Sequence, residues 1–67
     1  MSVVKVIELY SESDTSWEDA AQAAVTEAAK TINNIKAVYI QDQKAVVEGD
    51  KIVKFRCNVK LSFLVEN

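Results

Sequence analysis

From Ile52 to Val65 the chain alternates in polarity, and few features limit a fold so tightly. Val53, Phe55, Cys57, Val59, Leu61, Phe63 and Val65 are apolar, while Lys54, Arg56, Asn58, Lys60 and Ser62 stand between them. Successive side chains of a strand point to opposite faces, so the run specifies a long strand with one oily face and one polar, cationic face. At the rise of a strand it spans about 40 Å. A compact monomer of this length is about 28 Å across, from the scaling of radius of gyration with chain length. The strand outgrows the body it belongs to: either its end frays or neighbouring subunits cover it.

The 67 residues make one domain, 1–67, with no room for a second. A chain this small buries only about 60% of its unfolded surface and needs further support. Disulfides, a metal or oligomerisation are the usual sources. Cys57 is the single cysteine and there is no histidine, which excludes an internal disulfide and a structural zinc site. Oligomerisation remains. The net charge of −2 gives no electrostatic support to nucleic-acid binding. No apolar run is long enough for a bilayer, and Lys5 and Glu8 interrupt the first apolar stretch, so neither a membrane role nor a signal peptide is expected. A free thiol without a targeting segment fits the cytoplasm. On the oily face of the strand Cys57 reads as a small buried hydrophobe, since no base lies near it in sequence to make it a nucleophile.

Taken in order, Val3 to Tyr10 reads as a first strand with neither face cleanly polar, as expected of a strand covered on both sides. Ser11 to Thr15 is a polar connection. A helix follows, capped by Ser16 with Asp19 as the return half of a capping box, or by Thr15 with Glu18 in the equivalent register. Trp17, Ala20, Ala21, Ala24, Val25, Ala28 and Ile32 fall on one helical face, and Asn33-Asn34 marks the end. Alanine adds little volume, so the helix lies close on the sheet over a thin core. Trp17 is expected to pack in the core or at a subunit interface rather than to stack on a ligand.

Ile35 to Glu48 reads as a second strand, with Val38 and Ile40 on one face and Ile35, Ala37 and Tyr39 on the other. Alternation falters through Gln41-Asp42-Gln43-Lys44, which indicates a bulge or an edge position. Glu48-Gly49-Asp50-Lys51 turns the chain into the long strand around the only glycine. The order strand, helix, strand, strand gives an α+β fold. A right-handed crossover makes the first two strands parallel, and the long strand between them makes the three-stranded sheet antiparallel throughout, with the helix on one face. Phe55 and Phe63 are the expected core anchors.

Glu12, Asp14, Glu18 and Asp19 gather at the helix start. They lack the spacing of an EF-hand loop, and carboxylates there suit the helix dipole. Lys54, Arg56 and Lys60 form either a solvated strand face or a platform for an anion or an aromatic ring. No cluster of acid, base and nucleophile is visible, so the chain is not read as an enzyme.

Lys5-Val6-Ile7-Glu8-Leu9, Thr15-Ser16-Trp17-Glu18-Asp19-Ala20-Ala21 and the hairpin ending Lys60-Leu61-Ser62-Phe63 together resemble the dodecins over nearly the whole chain. The resemblance implies a βαββ subunit in a hollow homododecamer, which would account for the overlong strand and thin core. It also implies a small-ligand binding or storage role. Many members pair flavins between tryptophans across a symmetry axis and contact the ring through a glutamine on the last strand. Here Ala37 stands at the tryptophan position, Arg56 at that of the glutamine, and Ser11 where a glycine is usual. Asp42 and Gln43 do match residues found after the stacking site in some members. The resemblance thus implies cofactor-binding positions at Ala37, Tyr39, Gln41 and Arg56, with FMN or riboflavin bound weakly. Thr15-Ser16-Trp17-Glu18, with no stacking tryptophan, looks most like the subgroup called calcium dodecins. That makes calcium the alternative ligand, with no ion ligands assigned, and a purely structural assembly the third reading.

Overall fold

The computed structural model describes residues 2–65. Its elements run β1 (Val3–Ser13), α1 (Trp17–Ala28), β2 (Ile35–Glu48) and β3 (Lys51–Val65). β3 lies between β1 and β2, antiparallel to both. The helix covers one face of the sheet, as the order of elements predicts.

Each element has a local cause. Ser16 is extended and its hydroxyl accepts from the Asp19 amide at 3.0 Å, which caps the helix. The capping box does not close, however. The Asp19 carboxylate takes the Thr15 hydroxyl instead, while the Ser16 amide turns toward Ser13 Oγ. The helix ends at Ala28, and after it left-handed backbone is not reached until Asn34, at φ 64°, just before β2. Gly49 and Asp50 form a two-residue hairpin turn in which Gly49, at φ 65°, takes the left-handed backbone that glycine adopts at no steric cost.

β1 runs three residues beyond the expected boundary. Ser11, Glu12 and Ser13 pair with Cys57, Arg56 and Phe55, so the ladder of β3 recruits a segment whose own composition reads as a loop. β2 carries the expected irregularity as a register shift between Ile40 and Asp42, and two further shifts fall between Ile35 and Ala37 and between Val46 and Val47. Gln41 and Lys36 are the extra residues at the first two. The shift at Lys36 sets Ile35 opposite Phe63, on the helix side, and corrects its expected grouping with Ala37 and Tyr39.

The core is thin, and it lies at mid-strand. Cys57, Val59 and Leu61 are fully buried beneath Ala20, Ala21, Ala24 and Ala28, while Leu9, Trp17 and Ile40 pack against them half-covered. Phe55 and Phe63 face the helix side but are only half-buried, which corrects their expected place at the centre of the core. They lie toward the ends of the part of β3 that the helix spans, Phe55 covered there by Trp17 alone of the helix aromatics. A 12-residue helix is about 18 Å long and a 15-residue strand about 50 Å.

The subunit measures 52 × 20 × 12 Å, and its radius of gyration of 13.8 Å exceeds the roughly 11 Å of a compact chain this long. Its accessible surface of 4985 Å² compares with about 4200 Å² for a folded monomer of its mass. No helix among the described residues is long and apolar enough to cross a membrane.

Candidate functional site

The sheet face turned away from the helix carries the chain's polar chemistry in rows that run straight across the strands. Antiparallel register sets Tyr10, Asn58 and Asp42 in one row, and Glu12, Arg56 and Lys44 in the next. Glu8, Lys60 and Tyr39 follow on the other side, then Val6, Ser62 and Ala37. The bulge at Gln41 is what brings Asp42 opposite Asn58. It leaves Ile40 toward the helix and sends the next paired residue to the far face.

Glu12 is the hub of the second row. Its carboxylate accepts from Arg56 Nε at 3.0 Å and from Lys54 Nζ at 3.2 Å, and Asp14 stands 3.7 Å from the same ammonium. Lys54 and Arg56 hold the Glu12 carboxyl below its ordinary pKa of 4.5. Glu12 in turn raises Lys54. The reading of Glu12 as part of an acidic helix start is thereby corrected, while Asp14 stays in the bend between β1 and α1. Glu12 belongs to β1 and neutralises the cationic strand, while Glu18 and Asp19 remain in the first helical turn.

Of the four cofactor-binding positions expected from sequence, Ala37, Tyr39 and Arg56 share this face and Gln41 occupies the bulge. One subunit does not gather them. Ala37 lies opposite Ser62 and Tyr39 opposite Lys60, about 20 Å and 13 Å along β3 from Arg56 at a strand's rise. The aromatic side chains open on the face are Tyr39 at 63% and Tyr10 at 73% exposure. Tyr10, Asn58 and Lys44 are not marked as site residues by the sequence, and Glu12 is read there only as part of the acidic helix start. Their signal is the cross-strand register, which only the paired strands reveal.

Trp17 belongs to the helix side, as expected, where its ring packs on Phe55 and its indole N–H donates to the Lys44 carbonyl at 2.9 Å. Cys57 is buried, its thiol donates to the Trp17 carbonyl at 3.4 Å, and burial pushes its pKa up, opposite to what a thiolate nucleophile needs. Among the described residues no three carboxylate, cysteine or histidine side chains cluster to hold a metal ion.

Comparison with known proteins agrees with this architecture. The family model described as Dodecin matches residues 3–66. Calcium dodecin of Mycobacterium tuberculosis is 35% identical over 63 residues, covering 94% of this chain and 89% of the relative. The crystal structure of that calcium-chelating protein, described with a calcium-binding site, superposes with a TM-score of 0.81 at 34% identity, over 92% of this chain and 89% of that one. An arginine-to-alanine variant of Thermus thermophilus dodecin reaches a TM-score of 0.94 at 22% identity, with both chains fully covered. Streptomyces coelicolor dodecin gives 0.92 at 21%, over 98% and 94% of the two chains.

Proposed function

Because this chain belongs to the dodecin family, we propose that it is the subunit of a cytoplasmic homododecamer that binds or stores a small ligand between subunits, and is not an enzyme. One observation carries the reading: Val4, Val6, Tyr10 and Tyr39 stand open on the face away from the helix. An exposed apolar and aromatic strip of this kind marks an interface or a ligand wall. The surface in excess of a compact monomer's points the same way.

A flavin site in such a particle would draw Ala37, Tyr39, Gln41 and Arg56 from different subunits. Alanine offers almost no stacking area, and Glu12 already engages the Arg56 guanidinium. Riboflavin binding is accordingly weak. FMN is favoured over it, because a phosphate can draw on the cationic groups of β3. Calcium is the second reading, supported by the identity to the Mycobacterium tuberculosis relative.

Sedimentation at micromolar concentration, followed by titration with FMN, riboflavin and calcium, tests the proposal. The expected result is one closed species of about twelve subunits with no appreciable monomer, and measurable binding of FMN or calcium. A stable folded monomer of 7.4 kDa would overturn the assembly. A dodecamer indifferent to all three ligands would reduce it to a structural shell.

A further inference from the structure

A cavity of about 120 Å³ opens where the first two polar rows meet, lined by Tyr10, Asp42, Lys44, Arg56 and Asn58. Asn58 lies on the face away from the helix and yet is 6% exposed. Its Nδ2 donates to the Tyr10 hydroxyl at 3.4 Å, while its Oδ1 is buried with no donor. A buried acceptor left unmet is costly, and native proteins keep few of them. Around the same cavity Asp42 and Lys44 form no ion pair among the described residues. Arg56 gives its Nε to Glu12, and no hydrogen bond from its terminal guanidinium nitrogens is found among the described residues.

The unmet groups are sorted by sign. The row of Asn58 and Asp42 offers a carboxamide oxygen and a carboxylate, and the adjoining row of Arg56 and Lys44 offers a guanidinium and an ammonium. The rows are two residues, about 7 Å, apart along β3. A simple anion would meet the cations and leave Asn58 Oδ1 and Asp42 unanswered. A divalent cation would find one carboxylate and two positive neighbours. We propose that this cavity binds a small zwitterion of amino-acid size. Its ammonium is received by Asn58 Oδ1 and Asp42, and its carboxylate by Lys44 and Arg56. Complementary charge at both ends gives the selectivity. At about 120 Å³ the cavity takes a small molecule rather than a flavin or a peptide. The residues named all belong to one subunit, so the site does not depend on the number of subunits in the particle, although it shares Arg56 with the proposed flavin positions.

Calorimetric titration of the assembled protein with γ-aminobutyrate, against butyrate and n-butylamine as single-charge controls, tests the inference. The zwitterion should bind in the millimolar range or tighter, about tenfold better than either control. Lys44→Gln, a change at an exposed side chain, should bring its affinity down to that of n-butylamine. Asn58→Leu, checked for intact assembly, should weaken the zwitterion and leave butyrate unchanged. Equal affinity for butyrate and γ-aminobutyrate would overturn the proposal in favour of an anion site. Absence of zwitterion binding, or binding untouched by Lys44→Gln, would overturn it outright.

Discussion

Trp17 stands edge-on to Phe55, with ring centroids 4.9 Å apart and planes at 79°. The same indole donates to the Lys44 carbonyl, so one side chain ties the first turn of α1 to β3 by its ring and to the edge strand β2 by its N–H. A thin alanine face gives the helix little other purchase, and aromatic pairs of this geometry add about 0.5–1.5 kcal/mol beyond their buried area.

Phe55→Ala should therefore destabilise the subunit by about 2 kcal/mol, below the 3–5 kcal/mol of a fully buried phenylalanine, because Phe55 is only half-covered. Leu61→Ala, at a fully buried position, should cost about 2–5 kcal/mol. Thermal melts of the two variants should rank Leu61→Ala as the more damaging. The reverse order would place the centre of the core at the helix start.

The ion cluster of Glu12 predicts an acid-side stability profile. Its folded pKa lies below 4.5, through hydrogen bonds first to Lys54 and then to Arg56. A depressed carboxylate contributes stability that is present above the unfolded value and is lost as pH falls through the folded one. Glu12→Gln should melt below wild type at pH 7, and the gap should close as pH drops under 4.5. Melting curves from pH 7 to pH 3 check this, and a gap that stays constant across the range would show that the pair contributes nothing.

Ser16→Ala removes the hydroxyl that accepts from the Asp19 amide. The expected loss is about 1 kcal/mol, seen as a lower melting temperature with little change in helix content. A neutral result would mean that Ser13 and Thr15, which crowd the same turn, satisfy the helix start without it.

Flavin affinity should respond to the two positions that differ from the stacking pattern. Ala37→Trp together with Arg56→Gln should raise riboflavin affinity by at least about tenfold, since base-to-aromatic stacking is worth about 1–3 kcal/mol per contact. Quenching of flavin fluorescence reads it. Tight riboflavin binding by the unmodified chain would instead assign the stacking to Tyr10 or Tyr39, the aromatic rings exposed on that face.

Much of the fold is legible in the residues themselves. The period of two in β3, the bounds of β2, the Ser16 cap and the glycine turn each follow from local chemistry. What local chemistry does not show is how far one element reaches over another. Ser11 to Ser13 become strand because β3 is long enough to pair with them. Ile35 changes sides because an extra residue at Lys36 shifts the register. The phenylalanines fall outside the fully buried set, which lies at mid-strand under the alanine face of α1, while Phe55 meets the helix only at its first residue, Trp17. The candidate site is less legible still. Arg56 stands out as a cation on an alternating strand, whereas Glu12, Lys44 and Asn58 acquire meaning only when three strands lie side by side.

The placement of β3 between β1 and β2 also bears on how the chain comes to be folded. Of the elements described, β1 is synthesised first and β3 last, yet β1 pairs within the sheet only with β3. Until β3 leaves the ribosome, β1 holds Val3, Val4, Val6, Ile7, Leu9 and Tyr10 with no strand to receive them. The β2–β3 hairpin closes through a two-residue turn and can form in about 1–10 μs. Capture of β1 requires the long loop through α1 to close, and it comes later. The nascent chain therefore carries an unpaired, oily strand edge throughout its synthesis, the condition in which holding chaperones and low local concentration matter most.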